Sequence, residues 1–511
     1  MKTRIIRRIS QLLFFGLFIY LVLATTYPLT TRIPVDLFTR IDPLVAGAAS
    51  LAARKIMPGV GISLIIIGLT ILLGRVFCGW ICPLGTTLDL SDKLFFRKKA
   101  RRDTVRFHNL KYYILAGLAV TALFSMQAVY LLDPLSLLTR SVVIVFIAPI
   151  QMALKAFSDL FYTMSYSNIG IVSTIGMWLS DGVGVSPFVT GTQLYFRQGL
   201  IVFAVFAGII GLNSLSRRFW CRNLCPLGAL LGLFSRIPIL KRVVNSECID
   251  CGRCVHECKM SAIPENPRLT RTSECIECFN CVPICPKKAE SFRPRSKPEF
   301  HPETRLDLSR RRILQGAGLG LAFSAMAMTD PARKLAFGAN TKTKLSSDAL
   351  IRPPGSVAEG QFVERCMRCG ACMKVCPTNG LQPSVHEAGI EGFWTPVLVP
   401  RIGHCEQECN ACGQVCPTKA IEPFEIKEKT NIFIGTAVIE RNHCLAWYAD
   451  KKCLVCDEYC SYHAVTWKTV DGLKRPFVDE AKCVGCGRCE SACPIQPTAA
   501  IRIYSFGDKR T

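Results

Sequence analysis

The chain has 511 residues, half of them hydrophobic, and a formal net charge of +24. Apolar runs near the roughly 20 residues that cross a bilayer exclude an ordinary soluble protein for its first half. Lys and Arg sit beside those runs, as in RKKARRDTVR (97–106), so the charge reads as membrane topology and not as nucleic-acid binding.

In chain order, residues 1–240 read as a membrane domain. Apolar runs at 11–27, 60–77, 112–132 and 199–215 predict four core spans. The basic excess lies before the first, between the second and third, and after the fourth, which places both ends of the domain in the cytoplasm. Between the third and fourth, SVVIVFIAPIQMAL (141–154) contains Pro149 and NIGIVSTIGMWL (168–179) is short. Residues 137–196 are therefore expected as periplasmic or interfacial helices, and a membrane hairpin there would leave the topology unchanged.

Two similar stretches, RVFCGWICPLG (75–85) and RFWCRNLCPLG (218–228), end the second and fourth spans. Each has cysteines four apart, Cys78 with Cys82 and Cys221 with Cys225, a spacing that predicts both sulfurs on one helix face. One reading is a packed helix end: Pro83 and Pro226 stop the helix, Arg75 and Arg218 meet headgroups, and the thiols are small buried groups. The other is that the four are candidate redox thiols converging on one redox or metal site, their pKa lowered by the arginines.

The other 24 cysteines form six quartets, four of which read CxxCxxCxxxC, the bacterial ferredoxin spacing. The fourth thiolate of such a quartet ligates the neighbouring cluster, so the quartets pair into three α+β ferredoxin-like modules with six [4Fe-4S] clusters. Residues 241–295 are a cytoplasmic module: Cys248, Cys251, Cys254 with Cys285, and Cys275, Cys278, Cys281 with Cys258. Residues 355–511 hold four clusters: Cys366, Cys369, Cys372 with Cys416; Cys405, Cys409, Cys412 with Cys376; Cys444, Cys453, Cys456 with Cys493; and Cys483, Cys486, Cys489 with Cys460. Cys405 and Cys444 stand farther from the next cysteine than usual, and Cys258 and Cys460 lack the following proline.

Between these modules, within 305–340, SRRRILQGAGLGLAFSAMAM (309–328) pairs Arg310 and Arg311 with a weakly apolar run, the pattern of a twin-arginine export signal. That route carries folded cargo, as cluster-bearing domains require; an ordinary fifth anchor is the other reading. Both put 355–511 in the periplasm, and AFGAN (336–340) offers a cleavage point.

Some patterns are missing. There is no CxxCH for covalent haem, and His108, His256, His301, His386, His404, His443 and His463 all fall outside the expected spans. GAGLG (316–320) is not a dinucleotide fingerprint, because Leu321 stands where the third glycine belongs. No flavin, nicotinamide or phosphate motif is present, so the chain is not itself expected to be the terminal reductase.

These motifs resemble a fusion of two families. Residues 1 to about 295 look like the NapH-type membrane ferredoxin, with twin CxxxCP motifs and a two-cluster module, and 305–511 look like the NapG/MauM-type exported polyferredoxin. The fusion itself and the long insert depart from the pattern and leave the acceptor open. The resemblance implies a quinol dehydrogenase component of the cytoplasmic membrane, fed by the quinone pool and passing electrons to a periplasmic reductase or cytochrome. Export would use the twin-arginine machinery. Electron supply for maturation or maintenance of a periplasmic metalloenzyme is the alternative.

Overall fold

The structure is a computed structural model and describes residues 2–29, 31, 33–56, 60–96, 107–165, 174, 194–236, 238–294, 308–330, 350–385 and 387–505. The basic run 97–106, most of 168–179, His301, His386 and the stretch 336–340 lie outside the described residues. The chain divides into two compact units, residues 1–21, 37–138 and 203–325 in one and residues 22–36, 139–202 and 326–511 in the other. The domain expected over 1–240 is thus shared between them.

The first unit is mainly helical. Helix Lys2–Leu23 has 22 residues, and its segment Thr3–Leu23 is long and apolar enough to cross a membrane. The other three expected spans are shorter: Val60–Leu73 and Leu110–Leu123 have 14 residues each and Gly199–Gly211 has 13. Four full-length spans are not what these helices provide. Their ends have local causes: Gly74 takes a left-handed conformation (φ 78°), Ser125 does the same (φ 61°), and Leu212–Ser214 tightens into a 3-10 turn.

The second candidate crossing helix is Pro134–Leu160, in the region expected to hold only shorter helices. Pro149 does not end it. A proline ring clashes with the carbonyl four residues back, here at Val145. That carbonyl belongs to a π-helical turn, Val142–Ile147, whose wider winding lets the helix continue.

Helix Arg310–Thr329, over the expected export signal, packs in the first unit against Leu110–Leu123 through glycines. A Cβ on Gly316 would stand 2.5 Å from the Tyr113 carbonyl oxygen, and one on Gly320 would stand 2.3 Å from that of Gly117. Gly316 and Gly320 are four apart, so two backbones meet along one stripe, as in membrane helix pairs built on small residues.

Each ferredoxin-like module closes its two quartets between strands. In the first unit, Leu240–Val244 pairs antiparallel with Glu290–Pro294, from Leu240 opposite Pro294 to Val244 opposite Glu290. In the second unit, Thr436–Ile439 pairs with Ile501–Tyr504 around the last two quartets, and a single bridge, Ser356 to Ile421, takes the same place around the other two. A further hairpin, Val465–Val470 with Leu473–Val478, turns on Asp471-Gly472, both with positive φ, as a two-residue Asp-Gly loop demands.

Leucine at position 320 would overpack the glycine stripe, whereas a Cβ on Gly318 meets nothing within 4 Å. Gly320→Leu is expected to destabilise the first unit by about 1–3 kcal/mol in detergent-solubilised unfolding, and Gly318→Leu by less than about 0.5 kcal/mol.

Candidate functional site

The quartet cysteines come together across quartets. In the second unit, Cys444, Cys453, Cys456 and Cys493 line one cavity of about 390 Å3. Cys460 lines another, of about 340 Å3, with Cys483, Cys486 and Cys489. In the first unit, Cys258 shares a cavity of about 400 Å3 with Cys275, Cys278 and Cys281.

Electrostatics places two further sets. Burial, with the charge of nearby Cys416 adding to it, pushes the Cys366 and Cys369 thiols up to about 11 and about 12. Cys366 also packs in one apolar cluster with Cys372, Cys412 and Cys416. Burial likewise raises Cys405, Cys409 and Cys412, with the charge of Cys376 acting on all three. The remaining set is only partly assembled by the described contacts. Cys254 packs with Cys281 and takes a 3.5 Å contact from Arg242 Nη2, while Cys248 meets Asp250 at 3.5 Å and Cys251 is exposed.

Among the described residues, no three His, Cys, Asp or Glu side chains are placed to share one metal ion. A cube has no need of that, because each of its irons takes a single protein thiolate. The cavities fit such a group in donor type and number, and the backbone adds N–H donors aimed at sulfur. Ala262, Ala289 and Ala464 donate to Cys258, Cys285 and Cys460 at 3.2, 3.3 and 3.3 Å, and Ile421 and Ala437 donate to Cys416 and Cys483 at 3.4 and 3.3 Å. Cys258 and Cys460, which lack the proline, therefore have the same contact as Cys285, which has it.

The wide spacings have local explanations. Between Cys444 and Cys453 the chain forms a helical turn, Leu445–Tyr448. Its Trp447 ring lies under the guanidinium groups of Arg441 and Arg475, at 4.1 and 4.9 Å, and donates its indole N–H to Pro476 O at 3.2 Å. After Cys405, the buried Lys429 ammonium donates to the carbonyls of Glu406 and Cys409 and pins the longer loop.

The four sets of the second unit follow one another in space. Cys372 lies beside Cys412, the Cys405 N–H donates to Cys486 O at 2.8 Å, and Cys489 lies within the field of Cys456. The order is the Cys366 set, the Cys405 set, the Cys483 set and the Cys444 set. The first adjoins helix Pro134–Leu160: Arg140 Nη1 donates to Arg368 O at 3.3 Å, its guanidinium lies 4.0 Å from the Trp394 ring, and Val143 touches the space beside Gly370.

In the first unit, the two CxxxCP pairs also meet, but not as one helix face. Cys78 lies in the π-helical turn Phe77–Ile81, whereas Cys82 is extended (φ −59°, ψ 116°) and precedes helix Pro83–Phe95. Cys221 lies in helix Phe219–Asn223, and Cys225 (φ −66°, ψ 113°) caps helix Pro226–Phe234. The cause is the proline, which drives the residue before it out of helical conformation. Burial raises the Cys82, Cys221 and Cys225 thiols, Cys221 to about 11; Cys82 feels Cys78 and Cys221, Cys221 feels Cys78, and Cys225 feels all three of the others. The arginines do not win against burial, so for these three thiols the expected lowering is absent.

Nor do the arginines reach toward headgroups. Arg75 and Arg218 are 0% and 1% exposed. Arg218 forms a two-pronged pair with Asp89 at 2.9 and 3.0 Å, where Lys259 (2.9 Å) and Arg7 (3.9 Å) join it. Arg75 meets Glu274 at 3.1 Å, together with Lys111 and the Tyr112 hydroxyl (2.9 Å). Burial pushes His108, beside Glu274, down to about 3, so it is neutral there. Asp89, Glu274, Lys111 and Lys259 were not readable as a group, although Lys111 at the mouth of an apolar helix is the kind of charge that signals a buried partner.

Burial works to raise the Asp89 pKa, but Arg218 and Lys259 overcome it and hold the carboxyl well below its usual range. The pair's contribution to stability is therefore present above the unfolded carboxylate value of about 3.9 and is lost only as pH falls toward the depressed folded value. Asp89→Asn is expected to cost about 3–5 kcal/mol, constant between about pH 5 and 8 in thermal or denaturant melts. Asp471→Asn, in an exposed pair with Arg475, is expected to cost at most about 1 kcal/mol.

Comparison with known proteins agrees with the cysteine geometry. Residues 56–102 and 198–245 match the family described as 4Fe-4S binding domain, and 362–382 match another family of that description. Residues 240–286 and 451–496 match families described as 4Fe-4S dicluster domain. An uncharacterized protein of Methanocaldococcus jannaschii is 28% identical over 263 residues, 51% of this chain and 83% of the relative. The ferredoxin-type protein NapG of Escherichia coli K12 is 31% identical over 175 residues, 32% of this chain and 75% of the relative. The methylamine utilization ferredoxin-type protein MauM of Methylorubrum extorquens is 32% identical over 160 residues, 30% of this chain and 71% of the relative. No solved structure matches. With several 4Fe-4S domains and relatives matched over most of their length, the chain is an iron–sulfur electron-transfer protein that belongs to the NapG/MauM ferredoxin-type family.

Proposed function

We propose that a NapH-type membrane ferredoxin is joined in this chain to a NapG/MauM-type polyferredoxin, and that the whole draws electrons from quinol and delivers them to a periplasmic reductase. The observation that carries this reading is the unbroken succession of four cysteine sets in the second unit, its first set packed against the apolar helix Pro134–Leu160. Four one-electron sites in line suit transport over distance more than chemistry at one place.

A multi-pass membrane location rests on apolar side chains turned outward. Leu64, Ile65, Leu200, Phe203, Leu314 and Leu319 are all exposed, on helices with little polar surface. Water would not tolerate such faces, and lipid would. Sidedness rests on which segments fold together. Residues 22–36 and 139–202, both outside by positive-inside logic, belong to the same compact unit as residues 326–511. The cytoplasmic module, 241–295, belongs to the other unit.

The ligands would be the six crossed sets given above. A [4Fe-4S] cluster supplies one-electron storage at a potential set by its surroundings. The chain's residues set those surroundings. The N–H groups of Ala262, Ala289, Ile421, Ala437 and Ala464 stabilise electron-rich sulfur, and Arg242 brings a cation to Cys254. Oxidation of one quinol releases two electrons and two protons, so two successive one-electron transfers enter the relay and leave at its far end. That end is the Cys444 set, beside the exposed Tyr448, Leu454 and Tyr459.

The reading is tested with anaerobic membranes containing the full chain. A quinol analogue is expected to bleach the cluster absorbance at a rate matching turnover of an added periplasmic acceptor; no quinol-dependent bleaching would overturn it. Cys444→Ser should leave quinol-driven bleaching of the other clusters while delivery to the acceptor falls by at least about tenfold. Replacing Arg310 and Arg311 by Lys should leave a reporter fused after Thr511 inside the cell, and continued export would show an ordinary anchor instead.

A further inference from the structure

The two CxxxCP stretches form one structure in the first unit. Each arginine crosses to the other copy. Arg218 Nη1 donates to Cys78 O and its Nη2 to Gly85 O, both at 3.0 Å. Arg75 lies against the second copy, its Nη2 only 2.7 Å from where a Cβ on Gly228 would stand. Gly85 is under the same constraint from Arg218, at 3.2 Å. The glycine of each PLG is thus the space that the other copy's guanidinium occupies.

The thiols lie inside this exchange. Cys82, Cys221 and Cys225 are 7%, 9% and 5% exposed. Cys82 and Cys225 stand at the N-termini of helices of 13 and 9 residues, and the Gly228 N–H donates to Cys225 Sγ at 3.3 Å. Helix N-termini favour anions.

Two observations point to an anion beyond the protein's own carboxylates. Arg75 is fully buried, yet its Nε and Nη2 have no hydrogen-bond partner among the described residues. Among the described residues the charges also do not balance: Arg7, Arg218 and Lys259 share Asp89, and Arg75 and Lys111 share Glu274, five cations on two carboxylates. A buried excess of positive charge requires compensation. A cubane held by four thiolates is a net anion in both of its working oxidation states, and its sulfurs accept hydrogen bonds.

We infer that Cys78, Cys82, Cys221 and Cys225 hold a seventh iron–sulfur cubane, two thiolates from each copy of the repeated motif. The inference rests on the cluster reading of the six quartets and extends it to the helical part of the chain. As in those quartets, no three of the four are placed to share one metal ion, which disfavours a mononuclear zinc site. The centre would adjoin the Cys275 set. A Cβ on Gly79 would stand 2.2 Å from Ile276 O, Trp80 Nε1 donates to Glu277 O at 3.0 Å, and Arg75 Nη1 donates to Ser273 O at 3.0 Å. The first motif is therefore in direct contact with the loop that carries Cys275 and Cys278.

Native mass spectrometry of the full chain, purified anaerobically in detergent, reads the cluster count without a variant. Seven cubes, about 28 iron atoms, are expected; six cubes with these four thiols bare, or zinc in their place, would overturn the inference. In Cys78→Ser/Cys221→Ser, the count should fall by one cube and the other six should keep their EPR signals on chemical reduction; a variant that keeps all seven would also overturn it. Should the double variant fold poorly, Arg75→Lys keeps the charge and all four thiols. It is expected to retain seven cubes with a shifted reduction potential for one, and seven unshifted potentials would count against the site. Seven cubes without quinol-driven bleaching would sink the quinol reading and leave this one standing.

Discussion

Three thiolates on one short loop can reach only three corners of a cube, and the fourth corner must be closed from somewhere else. Much of this chain's architecture follows from that constraint. A quartet cannot complete its own site, so it needs a neighbour that donates a fourth cysteine and receives one in return. Cys416 beside the Cys366 loop and Cys376 beside the Cys405 loop are placed for such an exchange. The strands Leu240–Val244 and Glu290–Pro294, or Thr436–Ile439 and Ile501–Tyr504, close the ring of chain that the exchange creates.

The first unit shows the same reciprocity in another form. Its two CxxxCP stretches exchange arginines, and each copy supplies the glycine that makes room for the other's guanidinium. Glu274 then ties this pair to the neighbouring ferredoxin loop through Arg75, Lys111 and Tyr112. Breaking a network of this kind leaves buried charge behind, which costs more than the exposed ion pairs of the second unit could return.

What could be read in advance was whatever is written in spacing. The quartets and the apolar character of the first half lie in local sequence. What could not be read depends on residues far apart in the chain. Nothing near Asp89 announces Arg218, and nothing near Glu274 announces Lys111. The two cysteines of each CxxxCP are a helical turn apart, but the proline that follows decides their geometry, and it removes Cys82 and Cys225 from the helix. Pro149 misled in the opposite direction, because a π turn absorbs its clash and the helix runs on. The segments 22–36 and 139–202 look in sequence like parts of a membrane domain, and only their packing reveals that they fold with residues 326–511.

The glycine stripe that joins Arg310–Thr329 to Leu110–Leu123 bears on stoichiometry. Two subunits made separately must find each other by affinity, and a surplus of either is wasted. On the export reading proposed above, a segment that addresses a domain for export and also packs on Leu110–Leu123 would keep the halves at one to one. Tethering also raises their effective concentration to the millimolar range, so an interface too weak to hold two separate proteins would suffice. Trimming of the chain beyond that helix would abolish the advantage at once. On that reading, selection should act against cleavage after the helix as strongly as it acts for the small residues within it.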